Sequence, residues 1–221
     1  MAGFDDLFSR HVVTAMARQI ALADLLGERD WSVDLAAGAA TFGDDLRFPI
    51  QLLGTESHAD GTWLWAWANT GSNIPPALLH LSGWLKGYGE QAAIPELTER
   101  SFSLDRADGH RLALLASGLT GRPYYRGPYD GGALFFHLEN VPPQPVTPER
   151  AITVISQSIA AFPIDHRVAV VSFLEQQGWQ VDSAEAVTAH HPSGATMRVT
   201  FDELGRIAQF SGNIQPPSRS S

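Results

Sequence analysis

The spacing of apolar residues changes several times along this chain, and each change marks an element. From Phe4 to Leu26 the residues Phe4, Leu7, Phe8, Val12, Met16, Ile20, Ala23 and Leu26 recur mostly at steps of three and four, so one long amphipathic helix is expected. Trp31 to Leu35 follows, then a small-residue turn at Ala36 to Ala40. Leu46, Phe48, Ile50 and Leu52 next alternate with Arg47, Pro49 and Gln51, the pattern of a half-buried strand. Pro49 cannot donate to a ladder, which places that strand at a sheet edge. Glu56 to Gly61 (ESHADG) turns the chain into Thr62 to Asn69 (TWLWAWAN), predicted to pair back antiparallel.

Pro75 or Pro76 suits the first turn of a helix carrying Leu78, Leu79, Leu81, Trp84, Leu85 and Tyr88, stopped near Gly87 and Gly89. Ile94 to Asp105 reads as an extended connection, and Ala107 to Ala116 as a short helix ending at Gly118 or Gly121. A hairpin follows, with arms Arg122 to Arg126 and Ala133 to Glu139 and a turn holding Asp130-Gly131-Gly132. Val141 to Val146 (VPPQPV), with three prolines in six residues, is a stiff linker and puts a boundary near residue 145. Beyond it, Thr147 and Asp165 can cap two helices, the second ending at Gly178. Ala195 to Phe201 and Arg206 to Phe210 read as strands.

These elements predict an α+β fold, antiparallel sheets with helices mainly on one face, because hairpins join the strands and no β-α-β alternation appears. The expected organisation is an N-terminal region over 1–145, a helix-helix-meander region over 146–212 and a disordered tail over 213–221. Trp31-Ser-Val-Asp34 and Trp179-Gln-Val-Asp182 each follow a helix and lead into strands, which suggests two related helix-plus-meander halves. Helix, three strands, helix is also similar in topology to the type III secretion chaperones.

Composition then narrows the partners. Fifteen basic against 24 acidic residues give a net charge of −9 over 221 residues, and the basic residues are scattered, so nucleic acid is an unfavoured partner. Lys86 is the one lysine among them; such arginine- and alanine-rich usage suggests a bacterial source. With no cysteine, disulfides, thiolate nucleophiles and cysteine-bound metals are excluded. No apolar run reaches the ~18 residues of a membrane span, and Asp5 and Asp6 stand where a signal peptide needs positive charge. A cytoplasmic protein without membrane association is expected.

Three groups of residues could carry function. Trp63, Trp65 and Trp67 fall at period two, so a strand would show all three indoles on one face, either as the wall of a ligand site or as core. Tyr125, Arg126, Tyr129 and Asp130 gather phenols, a guanidinium and a carboxylate near one turn, able to hold an anion or merely to brace the hairpin. Glu56 and His58 could form an acid–base pair if both face a cleft; otherwise they belong to a solvated turn. His137 and Glu139 share a strand side but lack a third ligand, so no metal is assigned. Neither a Gly-x-Ser-x-Gly elbow nor a Walker or dinucleotide glycine pattern occurs, which disfavours serine-hydrolase, ATP and NAD readings and leaves no cofactor implied.

The segments GTES with TWLWAWAN, IPPALL, IPELTE and YYRGPYDGG, spread over roughly residues 4 to 140, resemble a bacterial family of unknown function. The resemblance implies a common architecture for the tryptophan strand and the tyrosine hairpin, and no activity. The leading expectation is therefore a non-enzymatic ligand-binding or protein-interaction module using Trp63, Trp65, Trp67, Glu56, Tyr125, Arg126, Tyr129 and Asp130. Its alternatives are a small hydrolase with Glu56, His58 and Asp130 in a cleft, and a purely structural oligomer.

Overall fold

In the computed structural model, which describes residues 3–213, the first helix α1 runs Phe4–Leu26 as the apolar period requires, with Asp5 and Asp6 favouring the positive end of its dipole. The chain divides into two compact units, and α1 contributes to both: residues 5–17 belong with 144–213, residues 18–26 with the segment that runs on to 143.

The first unit holds a seven-stranded antiparallel sheet. After α1 come β1 (Trp31–Asp34), β2 (Ala39–Phe42), β3 (Leu46–Ser57) and β4 (Thr62–Trp65). Where a turn was expected at Ala36 to Ala40, Ala39 and Ala40 enter β2. Alanine is a poor strand former, yet here both are buried and paired on each side, with β1 and with β3. β3 is the centre of the sheet, pairing with β2, β4 and β7 along its length. Pro49 is therefore not on an edge strand. Its carbonyl accepts from Glu139, one residue beyond the end of β7, so its missing N–H falls where that ladder has run out.

A bulge sets the sidedness of β3. Leu52 pairs with Phe136 but Gly54 with Phe135, leaving Leu53 as the extra residue. Phe48, Ile50 and Leu52 enter a core with Leu22, Leu26, Phe42, Phe136 and Leu138. Past the bulge the alternation is reset, so Gly54 and Glu56 take the opposite face, shared with Trp63, Trp65, Phe135 and His137.

Two turns of 3-10 helix, Ala66–Ala68 and Pro76–Leu78, lead to α2 (His80–Ala92). Gly87 and Gly89 lie inside α2, which ends instead at Ala93 in the left-handed region. The stretch expected to be extended contains α3 (Pro95–Thr98) and β5 (Ser101–Ser103). α4 (Gly109–Thr120) starts at an Asp108 cap whose carboxylate accepts from Arg111 N–H at 2.8 Å, and stops at Gly121. It covers the sheet face of Phe135 and His137 with buried Leu112, Ala113, Leu115 and Ala116. The hairpin of β6 (Tyr124–Tyr129) and β7 (Gly132–Leu138) turns through Asp130 and Gly131, the latter at φ +83°.

In the second unit, residues 5–17 of α1 pack with α5 (Pro148–Ala161) and α6 (His166–Gln176). Phe8 meets Phe162 edge-on at 5.3 Å, and the Ser9 hydroxyl accepts the N–H of Asp165. Asp165 caps α6 by accepting from Val168. The meander β8 (Gln180–Asp182), β9 (Val187–His190), β10 (Thr196–Phe201) and β11 (Ile207–Asn213) follows in the order β11-β10-β9-β8. The tail expected over 213–221 lies, apart from Asn213, outside the described residues.

Candidate functional site

The three tryptophans do not form an open face. Trp63 and Trp65 are 0% exposed, stand edge to face at 5.3 Å, and Trp63 repeats that contact with Phe135 at 5.5 Å. Trp65 donates its indole N–H to the Glu96 carbonyl at 2.9 Å. Two such rings supply roughly 5 kcal/mol of transfer free energy each, a core role. Trp67 leaves the strand altogether. Continuing the β3–β4 register past Gly54 and Trp65 would set Ala66 against the bulged Leu53, and the chain winds into a 3-10 turn there instead. The half-buried Trp67 ring carries the Lys86 ammonium 5.2 Å from its centroid.

Glu56 is where several of the expected residues meet. It is buried at 6% exposure, and its Oε1 accepts the Gly109 N–H at 2.7 Å, at the positive end of α4. Its Oε2 lies 3.9 Å from His58 Nε2 and 3.9 Å from Arg126 Nε, while the Tyr129 hydroxyl donates to its main-chain carbonyl at 3.3 Å. Only a glycine fits at 109, since a Cβ there would stand 2.6 Å from the Phe135 ring. Beside this group the Tyr124 hydroxyl and His110 Nδ1 are 2.9 Å apart. Burial first, then the Asp108 and Glu56 charges, push the Tyr124 phenol up, against the pull of Arg126. Tyr125 points to the other face, among Trp31, Phe42 and Phe136, and burial raises its phenol too. Asp130 stands exposed in the hairpin turn. Glu56 and His58 thus come within ion-pair distance, but beyond hydrogen-bond reach, and the third residue of the hydrolase alternative stays outside the group.

A cleft of about 630 Å³ opens elsewhere in the first unit, lined among others by Gln51, His80, Trp84, Arg122 and Glu139. Trp84 is 50% exposed and stacks on Tyr88 at 5.7 Å with 27° between the rings. Gln51 is fixed, donating to Ala77 carbonyl and accepting from Leu81 N–H. Arg122 and Glu139 form an ion pair at 3.5 Å, so their charges cancel across the cleft. His137 faces Gln51 in the β3–β7 ladder and is wholly buried. Burial, reinforced by the Arg122 and Arg18 charges, pushes its imidazole down to about 3. Sequence reasoning missed this cleft. The signal was Trp84 on the apolar stripe of α2, three residues from buried Leu81 and one from buried Leu85, at a position that turned out to be exposed.

Among the described residues no group of three or more histidines and carboxylates could hold a metal ion, and no helix is long and apolar enough to cross a membrane. Compared with known proteins, a family of unknown function (DUF6882) matches residues 5–141. No curated protein and no solved structure matches.

Proposed function

We propose that this chain, which belongs to that family of unknown function, is a non-enzymatic binding module taking a neutral, polyhydroxylated small molecule such as a mono- or disaccharide in the Trp84 cleft. The observation that carries the reading is an exposed indole, backed by a stacked phenol, on the wall of a 630 Å³ cleft. An aromatic platform of this kind stacks on the C–H face of a sugar ring. His80, and the donor and acceptor positions that the Arg122–Glu139 pair leaves open, would hydrogen-bond hydroxyls in the ligand plane. Because Arg122 and Glu139 neutralise each other, the cleft favours an uncharged ligand over an ion. The cytosolic setting expected from composition belongs to the same proposal.

The test is a fluorescence titration of the purified protein against a panel of neutral mono- and disaccharides, repeated with Trp84→Ala. Emission that shifts with one member of the panel, and no longer shifts in the variant, supports the reading. Equal binding by the variant, or a panel without effect on the native protein, removes it.

A further inference from the structure

Edge strand β6 has one side turned away from β7, and the register says which backbone groups lie there. Leu138 donates its N–H to the Pro123 carbonyl at 3.0 Å, so Tyr124 and His137 are a non-hydrogen-bonded pair. The main-chain groups of Tyr124, Arg126 and Pro128 therefore point outward. Tyr124 is closed by Gln19 of α1, whose carboxamide accepts its N–H at 3.0 Å and donates to its carbonyl at 2.9 Å. Pro128 has no N–H to offer. Arg126, between them, finds no main-chain partner among the described residues.

The reason lies one helical turn along α1. Four helical residues advance about 6 Å and two strand residues about 6.6 Å, and Ala23, one turn beyond Gln19, lines the same groove as Arg126. A methyl group replaces the carboxamide, and the space it leaves is a groove of about 320 Å³ lined by Leu22, Ala23, Leu26, Phe42, Tyr125 and Arg126, among others. The chain thus displays at Tyr124 the chemistry that would fill Arg126: one amide, giving and taking a hydrogen bond on the same residue. A carboxylate could satisfy the N–H but not the carbonyl. A strand-length peptide is blocked at both ends.

We propose that this groove binds a ligand bearing a single accessible amide beside an apolar side chain, as in an N-acylated amino acid or a peptide end. The amide sits on the Arg126 main chain, and the side chain lies against Leu22, Leu26 and Phe42. This site is independent of the Trp84 cleft.

The probe is N-acetyl-L-leucinamide, titrated into the full-length protein and followed by amide shifts and hydrogen exchange. We expect shifts at Arg126, Leu22 and Leu26, and exchange of the Arg126 N–H, fast in the free protein, slowed about tenfold at saturation, as one hydrogen bond implies. Ala23→Gln installs a second clamp on an exposed helix position, so it should slow that exchange without probe and abolish the shifts. Should that variant misfold, Arg126→Pro deletes the N–H without touching the ladder to β7. It should lose the probe, while Arg126→Ala keeps it. A hexapeptide with leucine at its terminus and one with leucine inside distinguish the sources: binding of the first alone assigns a peptide end, binding of neither assigns a free acylated amino acid. An Arg126 N–H already protected in the free protein, no shifts at millimolar probe, or probe binding unchanged by Ala23→Gln each overturns the proposal.

Discussion

His137→Leu isolates the cost of keeping one imidazole neutral. His137 is 0% exposed in β7, and its nearest charged influences, Arg122 and Arg18, both disfavour a second cation. The Arg122 main chain, which approaches without meeting hydrogen-bond geometry, pulls the other way and offsets part of this. The ring therefore titrates near 3 in the folded chain, against 6.5 when exposed. Between those values the unfolded chain binds the extra proton, so stability is unaffected above pH 6.5 and falls as pH drops toward 3. At 1.36 kcal/mol per unit, this one residue removes about 2 kcal/mol by pH 5 and about 4 kcal/mol by pH 3. Leucine has similar volume and no proton to take. Urea unfolding of both proteins at pH 8 and pH 5 gives the difference directly, because every carboxylate contributes to both and cancels. The native protein should lose about 2 kcal/mol more than the variant over that interval. Equal losses would show that the ring is charged or hydrated in the folded chain, and the reasoning would be wrong.

Substitutions at four further positions test other joints of the fold. Glu56→Ala leaves the Gly109 N–H at the start of α4 without its acceptor and should cost about 1–3 kcal/mol in urea unfolding, whereas Glu56→Gln keeps an acceptor and should cost less. Gly109→Ala would press a methyl group onto Phe135 and Glu56 Oε1, while Gly87→Ala in α2 meets open space. Thermal melts should therefore move down for the first, by about 1–3 kcal/mol in stability, and up for the second by as much as about 1 kcal/mol. Phe8→Ala empties a fully buried site against Phe162 and should cost about 3–5 kcal/mol. Amide exchange in β9 and β10 should accelerate with it, and unchanged exchange there would detach α1 from the second unit.

What the sequence disclosed followed from short-range chemistry. The period of α1, the Asp130-Gly131 turn and the Asp165 cap each need a few neighbouring residues, and each formed where its spacing places it. What stayed hidden needed a distant partner. Ala39 and Ala40 are strand residues because β1 and β3 flank them, and the bulge at Leu53 is visible only once β7 is paired with β3. That single extra residue decides the candidate residues as well. Strict alternation from Phe48 would put Glu56 into the core of Ile50 and Leu52; the bulge delivers it instead to the amino end of α4, beside Arg126. The same bulge denies Ala66 a partner, which is why Trp67 parts from Trp63 and Trp65. The Trp84 cleft was hidden for a different reason, since a tryptophan on an apolar helical stripe is read as core unless the surface above it is known.

The echo between Trp31-Ser-Val-Asp34 and Trp179-Gln-Val-Asp182 has a local cause at each end. A glycine with positive φ, Gly27 at 56° and Gly178 at 79°, stops the preceding helix, as a helix of either origin requires. The tryptophan then packs against an aromatic neighbour at the start of a strand, Trp31 as the first residue of β1 against Tyr125 and Trp179 one residue before β8 against His191. The aspartate closes the turn that follows, accepting from Ala37 N–H at 2.9 Å in the first case and from Ala184 N–H at 3.2 Å in the second. Each conserved-looking letter is thus demanded by its own place in a helix-strand-turn passage. The sheets that grow from the two passages differ, seven strands with β3 pairing on both sides against a four-stranded meander. The four-residue match is therefore what capping, packing and turn chemistry produce whenever a glycine-stopped helix feeds a short strand, with or without a shared origin.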